Sequence, residues 1–241
     1  MKPDVEVLDD AAILAQTAAQ LIVDRAKASS ERFTLVLSGG STPKAIYRLL
    51  AQPPLRDEIP WPQVQLFWGD ERSVPPDHAD SNFRTAREEL IDHVPIPAAN
   101  IHRIQAELPA SEAATAYEAE LQRFFGSAAL PRFDLVLLGM GDEGHTASLF
   151  PNTTALDETQ HWVVANYVPK LHTARITLTF PVINNAQEVV FLVAGAAKQE
   201  ALGHVLYGQH DHTPLPAARI APTNGRLLWL LDRSAMPVIN H

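Results

Sequence analysis

Short, almost unbroken apolar runs of strand length recur along this chain, and stretches with helical periodicity separate them. The runs fall at residues 5–8, 34–37, 64–68, 134–138, 175–180, 189–194 and 227–231. Runs of Val, Leu, Ile and Phe without polar alternation suit strands that are covered on both faces. Strands of that kind interleaved with helices leave one main architecture: an α/β domain with a doubly wound, mostly parallel sheet and helices on both faces. The helices have readable starts. Asp9 or Asp10 can cap a helix with the stripe Leu14, Ala18, Leu21 and Ile22, and Pro43 suits the first position of a helix carrying Ile46, Leu49 and Leu50. Ser111 can cap a third, with Ala114, Tyr117, Leu121 and Phe124, and a fourth begins near Lys198 and buries Ala201, Leu202, Val205 and Leu206. The proline-rich pieces at 52–62 and 94–97 read as loops, so residues 1–241 are expected to form one domain.

Composition narrows the chemistry. The 241 residues include no cysteine, which excludes disulfides, thiolate nucleophiles and Cys-ligated zinc. A formal charge of -9 repels polyanions at long range, so neither nucleic acid nor an anionic membrane is an expected partner. The first ten residues, MKPDVEVLDD, are acidic and lack the apolar core of a signal peptide, and a cytoplasmic address is the expectation. The sequence leaves the oligomeric state open, a monomer included.

Ligands of doubly wound sheets bind beyond the carboxyl ends of the strands. Four such ends carry chemistry here. After the run at 34–37 comes Ser38-Gly39-Gly40-Ser41-Thr42, then a helix: glycines let amides approach an anion, and the helix start adds positive dipole. An ordinary tight turn reads equally well from Gly-Gly alone. Neither a GxxxxGK[ST] phosphate loop nor a GxSxG serine elbow fits this spacing. After 64–68 comes Gly69-Asp70-Glu71-Arg72, with Ser81-Asn82-Phe83-Arg84 downstream as a second helix start. After 134–138 comes Gly139-Met140-Gly141-Asp142-Glu143-Gly144-His145. It matches the dinucleotide fingerprint formally, but Pro151 interrupts the long helix that fingerprint must open. His145 beside Asp142 and Glu143 reads instead as a neutral imidazole placed to act as a general base. After 189–194 comes Gly195, then Lys198 in a first helical turn, with Arg175 as a further cation for the same anion. His210 and His212 make at most a two-ligand site, too few for a metal, and no metal site is expected.

Taken in order, SGGSTP, WGDER, SNF, GMGDEGHTASLFP, RITLTF and GAAKQEAL resemble the 6-phosphogluconolactonases of the glucosamine-6-phosphate isomerase/6-phosphogluconolactonase family, from about the first helix to the last strand. The resemblance implies a fold similar to glucosamine-6-phosphate deaminase and ribose-5-phosphate isomerase, and no cofactor. It also implies hydrolysis of 6-phospho-D-glucono-1,5-lactone to 6-phospho-D-gluconate in the oxidative pentose phosphate pathway. Carried over by position, His145 matches the catalytic histidine, and Asp70 and Arg72 match the acid and base of the second motif. Ser38, Gly39, Gly40, Ser41 and Thr42 match the phosphate loop, with Arg175 and Lys198 as cationic contacts and Asn82 as a further substrate contact. Glu143 stands where the family usually has Asp, one methylene longer in reach. The oxyanion could be met by Arg72 or by nearby backbone amides. Two alternatives share this architecture. A deaminase-type enzyme places a Glu in Asn-Glu-Pro just after the histidine, whereas this chain has Ser148-Leu149-Phe150-Pro151. A non-catalytic sugar-phosphate sensor carries a DNA-binding segment in front, whereas this chain opens on its first strand and is acidic.

Overall fold

The computed structural model describes residues 3–208 and 214–237. Ten strands form: β1 (Asp4–Leu8), β2 (Phe33–Leu37), β3 (Val64–Trp68), β4 (Asp70–Arg72), β5 (Ile101–His102), β6 (Leu135–Leu138), β7 (Val163–Val168), β8 (Thr173–Leu178), β9 (Glu188–Val193) and β10 (Arg226–Asp232). The α-helices are α1 (Ala11–Ala28), α2 (Ser41–Leu50), α3 (Leu55–Glu58), α4 (Asn82–Glu89), α5 (Ala110–Phe125), α6 (Phe180–Ile183) and α7 (Gln199–Tyr207). Among the described residues, no helix is long and apolar enough to cross a membrane.

Seven strands pair in the order β1-β10-β9-β6-β2-β3-β5, all parallel. The unbroken apolar runs predict the centre of this sheet well: every residue of β2, β6 and β9 is buried. Phe191 of β9 and Trp229 of β10 stack with centroids 3.8 Å apart. The edge differs. Among the described residues β1 pairs only with β10, and Val5 and Val7 stay exposed, so burial on both faces does not extend to the first strand.

The expectation of one sheet needs correcting for the run at 175–180. Its residues 175–178 lie in β8, in a separate three-stranded antiparallel sheet ordered β4-β8-β7, and Phe180 already opens α6. Gly69 is the joint between the two sheets. Its amide donates to Leu37 O of β2 at 3.0 Å, and its carbonyl accepts from the Leu178 amide of β8 at 2.9 Å. The chain thus leaves the parallel sheet at β3 and joins the antiparallel one within two residues.

Helix starts also shift. Asp10 is the cap of α1, accepting from the Ala12 and Ile13 amides at 2.8 and 2.9 Å, as its residue type predicts. But α2 begins at Ser41 behind Gly40, which puts Pro43 third, and α5 begins at Ala110 behind Pro109, which puts Ser111 inside the helix. The segment at 52–62 is not all loop, since α3 lies within it.

Topology fixes where a ligand can go. From β2 the chain builds outward through β3 to β5, then returns to the other side of β2 with β6 and builds outward again through β9 and β10. The order reverses between β2 and β6. Connections leaving those neighbouring strands diverge to opposite sides and open a crevice at their carboxyl ends. The two loops flanking that crevice are 38–42 and 139–145.

Candidate active site

The loop after β2 is pinned from below. Buried Tyr47 of α2 accepts from the Ser38 amide at 3.1 Å and donates to Ser38 O at 2.6 Å, so both polar groups at that bend are satisfied by one hydroxyl. Burial pushes the Tyr47 hydroxyl pKa up, which keeps it a donor. Tyr117 repeats the device at the end of β3, bonding the Trp68 amide at 2.9 Å and Trp68 O at 3.1 Å. Above Ser38, Gly40 has φ 110°, a conformation that favours glycine. Gly40 caps α2 without any side chain, leaving the first helical amides and the Ser41 and Thr42 hydroxyls as an open anion cradle.

Gly39 is glycine for another reason. A Cβ there would stand 1.9 Å from Asn82 Oδ1. Asn82 opens α4, whose cap is Ser81 as expected, with Ser81 Oγ accepting from the Arg84 amide at 3.1 Å. The Asn82 side-chain amide donates to Asp70 O at 3.0 Å and Asp70 Oδ1 at 3.3 Å. Asn82 is buried, so the structure brings it beneath the loop, between Gly39 and Asp70, rather than out into the crevice. Asp70 Oδ2 accepts from Ser148 Oγ at 2.6 Å. One carboxylate therefore ties β4 to α4 on one side and to the His145 loop on the other. Ser148 is set in turn by Asn166 of β7, which donates to Ser148 O at 2.8 Å.

The loop after β6 folds back on itself. The Gly141 amide donates to His145 O at 2.9 Å, the Gly144 amide to Gly141 O at 3.0 Å, and Thr146 Oγ1 to Gly139 O at 2.9 Å. The glycine pattern here serves the histidine, not a dinucleotide: a Cβ on Gly141 would fall 2.0 Å from the imidazole. Gly144 has φ 75°, and Ala147 holds φ 46°, a strained value that a non-glycine residue adopts only where its surroundings enforce it. The His145 ring stacks on Phe150 at 4.0 Å between centroids. Its Nδ1 is buried without a hydrogen bond, with Glu143 Oε1 3.4 Å away. Burial holds the imidazole pKa below its usual value; the Glu143 and Asp70 carboxylates pull it up, and Lys198 pushes it down.

The two flanking acids are each matched by a lysine. Asp142 pairs with Lys198, which holds the Asp142 carboxyl below its ordinary range. Lys198 ends a 3-10 turn at Ala196–Lys198 and sits at the cap position of α7, just outside the predicted first turn. Glu143 pairs with Lys170, which sequence reasoning missed, 27 residues away in the turn between β7 and β8. Arg72 and Arg175 face each other across the β4–β8 pairing. Arg72 Nη1 donates to Asp80 O at 2.6 Å, while Arg175 Nε is buried and unpaired. Burial, then the adjacent Arg72 charge, lowers the Arg175 pKa. His210, His212 and His241 lie outside the described residues.

Both rim loops do meet: a Cβ on Gly139 would touch Ser38 Oγ at 4.0 Å. A half-buried imidazole, a helix start left open and several cations around one switch-point crevice define an α/β enzyme for a small anionic substrate. The chain belongs to the glucosamine-6-phosphate isomerases/6-phosphogluconolactonase family, whose model matches residues 9–229. It is 47% identical to a 6-phosphogluconolactonase of Synechocystis sp., over 98% of each chain. It superposes on a solved 6-phosphogluconolactonase from Trypanosoma cruzi with TM-score 0.86 and 30% identity, covering 97% of this chain and 96% of the other. A solved monomeric glucosamine-6-phosphate deaminase shares the fold, with TM-score 0.80 at 21% identity over 96% of this chain and 98% of that one.

Proposed function

We infer that the chain is a 6-phosphogluconolactonase, hydrolysing 6-phospho-D-glucono-1,5-lactone to 6-phospho-D-gluconate in the oxidative pentose phosphate pathway. The near full-length identity to the Synechocystis enzyme supports the substrate. One observation carries the chemistry: His145 is half-buried with its Nδ1 shut off from solvent, which leaves Nε2 as the nitrogen for water. The reading takes residues 1–241 as one catalytic domain, acting in the cytoplasm without a cofactor.

In this mechanism the substrate phosphate sits on the open α2 cradle at 38–42, held by Lys198 and Arg175. His145 Nε2 takes a proton from water as its oxygen adds to the lactone carbonyl carbon. The carbonyl becomes an oxyanion. The Gly141 and Gly144 amides are already spent inside their own loop, which favours Arg72 as the oxyanion partner. When the tetrahedral species collapses, the bond from the carbonyl carbon to the ring oxygen breaks. The imidazolium returns its proton to that oxygen, and the new carboxylic acid ionises. Asp70, buried and bonded to Ser148 and Asn82, orients the loop and its charge stabilises the imidazolium.

The deaminase alternative is disfavoured where it needs an acid. Phe150 stands in that stretch and stacks directly on His145.

Lactone opening measured above the spontaneous rate should be fast with 6-phosphoglucono-δ-lactone and much slower with glucono-δ-lactone. Equal rates on both, or release of ammonia from glucosamine 6-phosphate, would overturn the reading. Lys198→Ala removes a charge-assisted contact to phosphate, so KM should rise roughly 10- to 100-fold with kcat little changed. The Asp142 carboxylate it leaves behind is well exposed, so stability should hold. Steady-state kinetics and a melting curve check both halves, and an unchanged KM would remove Lys198 from the phosphate site.

A further inference from the structure

Glu143 has two oxygens and two neighbours: Oε2 contacts Lys170 Nζ, and Oε1 stands 3.4 Å from His145 Nδ1. A carboxylate so close to an inward-facing imidazole nitrogen would ordinarily close the gap, accept a hydrogen bond and favour the imidazolium. Here the carboxylate still raises the imidazole pKa through its charge, but the gap stays open at 3.4 Å and Nδ1 is buried without a hydrogen bond. The Glu143 carboxylate has a second charged partner. Lys170 reaches it from the tight turn between β7 and β8, where Pro169–Leu171 form a 3-10 turn and His172 has φ 49°. The turn belongs to the antiparallel sheet, whereas Glu143 and His145 follow β6 of the parallel sheet.

We propose that Lys170 is a positioning residue: it holds the Glu143 carboxylate off the His145 ring and keeps it from closing onto Nδ1. The proposal rests on His145 being the general base. Its consequence is a base that stays unprotonated at neutral pH although a carboxylate lies beside it. Other charged groups face His145 as well, namely Asp70 from β4, Lys198 from the turn after β9, and Asp142 on its own loop. None of them is changed in the variants below. The Lys170 side chain is 70% exposed, so its loss should leave the fold intact, and solvent moderates the size of the effect.

The experiment follows the His145 ring by NMR titration, its signals assigned by their loss in His145→Gln. In Lys170→Met the imidazole should titrate higher by roughly half a pH unit, as expected for a partly screened charge contact. Lys170→Arg should restore the native titration. In Lys170→Met/Glu143→Gln the upward shift should vanish relative to Glu143→Gln alone. The proposal is overturned if Lys170→Met leaves the titration unchanged, or if the shift is equally large without the Glu143 carboxylate. In parallel, kcat/KM of Lys170→Met should be about threefold lower on the acid limb and unchanged at pH 8. If the imidazole moves while that limb stays fixed, the coupling stands and the general-base reading of His145 falls.

Discussion

Replacing His145 with Ala should lower kcat by about 10²- to 10⁴-fold, the range general-base assistance contributes, while the product 6-phosphogluconate still binds. The separation follows from geometry. The imidazole sits over Gly141 and against Phe150, whereas the phosphate contacts come from the α2 cradle, Arg175 and Lys198. Titration calorimetry with 6-phosphogluconate should report affinity within a fewfold of native, and a near-native kcat would dismiss the assignment. The pH dependence supplies a second reading. Burial depresses the His145 pKa, so the neutral, active form persists down to a pH below the ordinary imidazole value. In the native enzyme kcat should therefore be flat around pH 7 and decline only at lower pH, tenfold per unit once below that depressed pKa. His145→Ala should lose this limb. Using kcat rather than kcat/KM separates the histidine from ionisation of the free substrate's phosphate.

Why His145 could be found from sequence while much of its support could not is a matter of distance along the chain. Strands β2, β3, β6 and β9 declare themselves because each is a nearly continuous apolar run. The loops that follow them are local in sequence, and parallel topology alone sends ligand to that side. By contrast, β4 is Asp-Glu-Arg, β5 has two residues, and β7 carries Asn166 and exposed Tyr167. Their pairing is tertiary, and no periodicity announces it. Side chains follow the same rule. Tyr47 serves Ser38 nine residues back, but Tyr117 serves Trp68 from 49 residues away and Ser148 reaches Asp70 across 78. Asn82, legible as a helix start, proved to lie under Gly39, a contact that only the space around that glycine reveals. Glu71 stands in plain view beside Asp70 and Arg72, yet no local pattern gives it a role, because three of its four partners lie ten to twelve residues further on.

Those partners make Glu71 the residue whose loss should damage the molecule most. It is buried, and its carboxylate accepts from the Arg72 amide at 2.8 Å, the Asn82 amide at 2.7 Å, the Phe83 amide at 2.8 Å and Ser81 Oγ at 3.0 Å. Burial, and to a smaller extent the Asp70 charge, push the carboxyl pKa above its ordinary value, and the three amides, two of them at the start of α4, offset only part of that rise. Glu71→Ala leaves four donors without their acceptor. The expected loss is about 3 kcal/mol, and for a chain of this size roughly 6–12 °C in Tm. Glu71→Gln restores one acceptor but turns an N–H toward the remaining donors, so it should fall between. Activity should follow. Asn82 takes its position from Glu71 and passes it to Gly39 and Asp70, and a shift of about 1 Å there can cost on the order of 10²-fold in kcat/KM. Denaturation and steady-state kinetics on the two variants test this directly: Glu71→Ala with native Tm would mean that the start of α4 is held by something other than this carboxylate.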